Sequence, residues 1–203
     1  PFHSIGLFSV FDSDVIRNAD IYTGGFGAQY GGRISSIMDI TTRDGNKNRI
    51  AGKVTASTFM AKALIEGPLK KAKTEDEGSS SFIFSAKHSY LEQTSKYLYS
   101  YVDTAGLPFG FTDFYGKVSI NGKNGSKVNF FGFNFADNVT YRGITDIGWK
   151  SSGGGTNVVL VPDNYPALIK ANVAYSSYAI RMLESDQNPR ESSINGFNVG
   201  LSF

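Results

Sequence analysis

From residue 49 onward, apolar and polar positions take turns along the chain with a period of two. Ile50, Gly52, Val54, Ala56 and Thr58 share one flank, and Ala51, Lys53, Thr55 and Ser57 share the other. Phe82, Phe84, Ala86, His88 and Tyr90 oppose Ile83, Ser85, Lys87 and Ser89. The same alternation recurs at 114–120, 169–176 and 196–203. A two-residue period puts successive side chains on opposite faces of an extended strand. The pattern predicts strands near 49–58, 60–68, 81–91, 111–121, 127–139, 147–161, 167–183 and 193–203. Segment 127–139 is ambiguous, because Phe130 falls on one face and Phe131, Phe133 and Phe135 on the other.

Two architectures produce such alternation: a soluble β-sandwich and a barrel in lipid. Two features favour the barrel. The less apolar face is rich in Ser, Asn, Gly and Lys, and several strands carry aromatics near their ends. A wet lumen and an interfacial girdle have those compositions. Lys53, Lys87, Lys117 and Lys170 all fall opposite the apolar face. A Lys at the bilayer midplane costs roughly 2–4 kcal/mol, so that placement is the one lipid demands. The links alternate between two ends: 69–80, 121–126 and 162–166 on one side, and the turn near Thr58, 92–110, 140–146 and 184–191 on the other. Outer-membrane barrels pair short periplasmic turns with longer outer loops. The first link on each side departs from that rule.

The first 45 residues have a different texture. Residues 10–18 predict a short helix with Asp12 or Ser13 as N-cap. Residues 19–23 and 33–42 predict two strands. Gly24, Gly25, Gly27, Gly31 and Gly32 lie between them, and Asp44-Gly45-Asn46 is a turn.

The run Gly24-Gly25-Phe26-Gly27-Ala28-Gln29-Tyr30-Gly31-Gly32-Arg33-Ile34-Ser35-Ser36-Ile37-Met38-Asp39-Ile40 resembles the end of the plug domain of TonB-dependent outer-membrane receptors. Pro1-Phe2-His3, residues 7–11 and Glu66-Gly67-Pro68 also suit that branch. The resemblance is specific over the first 45 residues, and the rest is matched by texture alone. It implies an all-β fold of antiparallel transmembrane barrel strands, about eight of them, preceded by the end of a small α+β plug. Residues 1–46 would be the C-terminal part of the plug, and 47–203 the first barrel strands. About 22 strands enclose a plugged lumen in this class, and an eight-stranded barrel has room only for side chains. The chain is therefore expected to be a fragment, or else its opening segment lies outside the barrel.

The family implies import of a scarce nutrient across the cell outer membrane, with energy relayed by the TonB protein through a segment before Pro1. Outer-membrane lipid and a surface lipoprotein are the further implied partners. Ser35-Ser36 stand where many siderophore receptors carry Gly-Gly, which weakens a siderophore assignment. Arg33, Asp39 and Tyr30 would join plug–barrel contacts; the plainer alternative is that such charges only support a turn. Tyr97, Tyr99, Tyr101 and Trp149 lie on or near outer loops, to stack on cargo or simply to pack a girdle. A small complete outer-membrane barrel and a soluble carbohydrate-binding sandwich are the competing readings.

Composition narrows the chemistry. Hydrophobic residues make up 40% and charged residues 19%, both below the usual globular share, while Phe, Tyr and Gly are abundant. The net charge of +2 is too small for a polyanion-binding surface. Lys70, Lys71 and Lys73 are followed at once by Glu75, Asp76 and Glu77, as in a solvated turn. There is no cysteine, so disulfides and thiolate metal sites are excluded. Pro1-Phe2-His3-Ser4 lacks the charged head and apolar run of a secretory leader. His3 and His88 are too far apart for a paired metal motif. Neither a nucleophile elbow nor a phosphate loop is present, so no enzyme activity and no cofactor are expected.

Overall fold

The computed structural model describes residues 11–25, 27, 30, 35–72, 74, 77–99, 106–141, 144–163, 165–184 and 188–203. The chain divides into two units, a small one, Phe11–Arg43, and a large one that includes Asp44–Phe203.

The small unit is a two-stranded antiparallel ribbon. Strand β1 (Ile16–Tyr22) pairs with β2 (Ile37–Thr42), with Tyr22 opposite Ile37 and Asp20 opposite Asp39. The helix predicted over 10–18 does not form. Asp12 Oδ1 accepts the Asp14 amide at 2.8 Å, and the Asp12 carbonyl accepts the Val15 amide at 3.0 Å. The capping residue therefore closes a single turn. The β-branched pair Val15 and Ile16 then leads into a strand, where Ile16 lies opposite Thr42. Of the second predicted strand, 33–42, Ile37–Thr42 is strand, and 33 and 34 lie outside the described residues.

The large unit is an eight-stranded sheet whose strands follow in chain order, all antiparallel. They are β3 (Ala51–Ala56), β4 (Met60–Lys70), β5 (Ser79–Ser89), β6 (Phe109–Asn121), β7 (Lys127–Tyr141), β8 (Thr145–Leu160), β9 (Ile169–Glu184) and β10 (Pro189–Ser202). A short helix α1 (Leu91–Leu98) joins β5 to β6. All eight segments predicted from 49 onward are strands, within a few residues of the expected bounds. The sheet is open: β3 and β10 are its two edges, and they do not pair with each other.

Directly opposed residues share a face, so the register sorts every side chain. One face carries Leu64, Ser81, Ile83, Ser85, Lys87, Phe111, Asp113, Tyr115, Lys117 and Ser119, and all of these are buried. The other carries Val54, Ile65, Phe84, Phe114, Ile120, Phe130, Val173, Phe197, Val199 and Leu201, and all of these are exposed. Ser81 and Ser119 are 0% exposed, whereas Phe197 is 72% exposed. The buried face thus mixes charged and hydroxyl groups with Leu64, Ile83, Phe111 and Tyr115, while the exposed face is rich in large apolar residues, the opposite of what a soluble domain favours for its surface.

Pairing resolves the ambiguity at 127–139. Phe131, Phe133 and Phe135 lie opposite Lys117, Tyr115 and Asp113, which puts them on the buried face, while Phe130 lies opposite Val118 on the exposed one. Phe133 and Phe135 stack with centroids 5.0 Å apart. Across from them β8 presents Gly155 opposite Phe131 and Gly153 opposite Phe133. A Cβ on Gly153 would come within 2.8 Å of Phe133 Cζ and 2.6 Å of the Tyr175 carbonyl oxygen. The glycine run of β8 is thus the complement of the phenylalanine row of β7.

Candidate functional site

On β2, Asp39 is exposed and faces Asp20 across the ribbon. Like charges directly opposed destabilise a pair of strands unless each finds a donor. Each does: Tyr30 Oη donates to Asp39 Oδ2 at 3.2 Å, and Asn18 Nδ2 donates to Asp20 Oδ2 at 2.7 Å. The Tyr30 ring also packs against Tyr22, with centroids 5.7 Å apart. Tyr30 and Asp39, singled out from the sequence, therefore meet. Arg33 lies outside the described residues.

The aromatic set is spread over different elements. Tyr97 is on α1 and is 89% exposed. Tyr99 caps the same helix, its amide donating to the Ser95 carbonyl at 3.1 Å. Tyr101 lies outside the described residues. Trp149 is half-buried on β8 between Asp137 and Ile180, on the face that carries Lys87 and Asp113. His88 sits on the exposed face and bonds Thr112 Oγ1 through Nδ1 at 2.8 Å, across the β5–β6 pair. Among the described residues, no group of three His, Cys, Asp or Glu side chains is placed to hold a metal ion.

The strongest electrostatics lie elsewhere, on the buried face of the sheet. Lys87 Nζ is 2.9 Å from Asp113 Oδ2, with side chains only 7% and 5% exposed. That is an ion-pair distance, although the approach lies outside hydrogen-bond geometry. The same ammonium sits 5.1 Å from the centroid of Phe111. Nearer the opposite end of the strands, Asp44 gathers three donors. Lys127 Nζ donates to its Oδ2 at 2.6 Å, Ser119 Oγ donates to Oδ1 at 2.8 Å, and Lys117 Nζ lies 3.1 Å from Oδ1. Burial alone would raise the Asp44 pKa. The hydrogen bonds from Lys127, Ser119 and Lys117 outweigh it and bring the carboxyl down from 3.8 to about 2.

Neither cluster was anticipated from the sequence as a set. Lys87 and Lys117 were legible as residues kept off the apolar face and Asp44 as part of a turn, but nothing in the sequence singled out Lys127. Their partners are 75 and 83 positions away from Asp44, and no local pattern links them.

The arrangement is a mixed wall with paired charges, backed by a face that is apolar over Val54, Ile65, Phe84, Phe114, Phe130 and Phe197 and that also carries His88, Asn134 and Lys150. It has the chemistry of a surface that meets water or a polar body on one side and apolar matter on the other. No protein family, curated protein or solved structure matches this chain.

Proposed function

We propose that the chain is part of an outer-membrane active transporter that imports a scarce nutrient. The large sheet is a section of its transmembrane barrel wall, and the small unit is the closing part of its plug. Energy reaches it from TonB, through a part of the protein outside this chain. The observation that carries the reading is the way β5 and β6 divide their side chains. Phe84, Phe114 and Ile120 are exposed on one face, while Ser81, Ser85, Lys87, Asp113, Lys117 and Ser119 are buried on the other. In water such a face is an aggregation hazard; in a bilayer it is the stable arrangement.

Strand length supports the same reading. A tilted strand needs about 9–11 residues to cross the hydrocarbon. Strands β4 to β10 have 11 to 16 residues, whereas β3, with 6, is too short for a span by itself. A soluble sandwich would put Phe84, Phe114, Phe197 and Val199 against a second sheet. Here each is more than two-fifths exposed. The plug assignment rests on the sequence resemblance around Tyr30, Arg33 and Asp39. Cargo contact by Tyr97, Tyr99, Tyr101 and Trp149, and a surface lipoprotein partner, are further parts of this proposal.

Lipid quenching tests it directly. Trp149 is the single tryptophan and lies on the buried face. Bromine on acyl chains in reconstituted vesicles is expected to leave its fluorescence nearly unchanged. In a Trp149→Phe, Phe197→Trp variant the new indole faces outward, and its emission is expected to be strongly quenched. Equal quenching of both, or a folded chain that stays dispersed without detergent, refutes the proposal.

A further inference from the structure

The border between the two units falls between Arg43 and Asp44, and each of these residues is tied into its own unit. The Arg43 amide donates to the Val15 carbonyl at 2.9 Å, and its Nε donates to the Asp14 carbonyl at 2.5 Å. Asp44 is held by Lys117, Ser119 and Lys127 of β6 and β7. Gly45 is buried against β5 so closely that a Cβ would meet the Phe82 carbonyl oxygen at 1.8 Å. The Asn46 amide donates to Glu66 Oε2 of β4 at 3.0 Å, and its own side-chain oxygen accepts the Asn48 and Arg49 amides. Three consecutive residues thus engage four consecutive strands. An exposed linker between units has few such ties.

We propose that Asp44, Gly45 and Asn46 form an anchor that stops loosening of the small unit at the Arg43–Asp44 bond, before it reaches the large sheet. The physical basis is the number and type of the ties. Charge-assisted bonds are about twice as strong as neutral ones, and a glycine wedged under a strand carbonyl cannot slide along it. Local opening ends where buried, well-bonded backbone begins. The inference does not depend on the membrane reading, since it concerns only how the segment is held.

Hydrogen exchange on the full chain tests it, in whichever detergent or lipid keeps it folded. Ile40→Pro breaks the β1–β2 ladder and loosens the small unit. Exchange is expected to rise across 16–42 and to remain at the wild-type rate in 44–50 and in β5 to β7. Adding Asp44→Asn is expected to carry the rise into 44–50, by roughly tenfold. That factor corresponds to losing about 1.4 kcal/mol of charge-assisted bonding. If Ile40→Pro alone raises exchange in 44–50 as much as in 16–42, the anchor is refuted. It is refuted equally if the added substitution changes nothing. Should the double variant not fold, Ile40→Pro with Lys127→Gln, which removes one donor, decides the question by the same two outcomes.

Discussion

Lys87→Met is the most exacting perturbation this structure offers. Lys87 and Asp113 form an ion pair with side chains 7% and 5% exposed, and the ammonium also lies 5.1 Å from the Phe111 ring centroid. Methionine nearly preserves the volume of the lysine stem, so a cavity contributes little. What changes is that the Asp113 carboxylate loses its cation while still buried. Breaking a buried pair from one side costs about 3–5 kcal/mol, because an uncompensated charge is left behind. Replacing both members by apolar residues is far milder, and is often neutral. The assay is urea unfolding followed through Trp149, the single tryptophan. With a slope of about 2–3 kcal/mol per molar, Lys87→Met is expected to lower the midpoint by roughly 1–2.5 M. Lys87→Met with Asp113→Leu is expected to recover most of that loss. A single variant with a midpoint within about 0.3 M of wild type would mean that the pair is solvated rather than buried. A double variant as damaged as the single one would mean that the loss comes from packing and not from charge.

Two further outcomes follow from the same wall. Gly153→Val drives a Cβ into Phe133 and the Tyr175 carbonyl, and is expected to cost about 1–3 kcal/mol in the same unfolding assay. Phe133→Ala in that background should relieve the side-chain part of the clash, and the complementarity of the two rows is wrong if it worsens the loss. The Asp44 carboxyl is lowered from 3.8 to about 2, so its contribution is fully present above pH 3.8 and is lost as the pH falls through about 2. Discounted for a partly wetted carboxylate, that contribution is about 1–2 kcal/mol, and Asp44→Asn should flatten stability between pH 2 and 4. An unchanged slope in that window would remove the role assigned to Lys117 and Lys127.

The sequence by itself determined what depends only on neighbours along the chain. Alternation of apolar and polar residues marks a strand locally, so the strands of the large sheet were legible, along with the face on which Lys87, Lys117 and Lys170 would fall. The antiparallel arrangement was expected from the resemblance, and the register bears it out. Local signals failed where tertiary pairing outweighed them. Asp12 reads equally as a helix cap or as the start of a single turn, and the partner strand at Thr42 decided for the turn. The helix α1 lies in a stretch read only as a long link. Aromatics on both flanks of β7 left its facing undetermined, until the register against Lys117, Tyr115 and Asp113 assigned three of the four phenylalanines to the buried side. The charge clusters were the least legible of all. Asp44 gains Ser119 and Lys127, and Lys87 gains Asp113, only when strands far apart in sequence lie side by side. A side chain's face is set by its own strand, but its partner is set by the register of another.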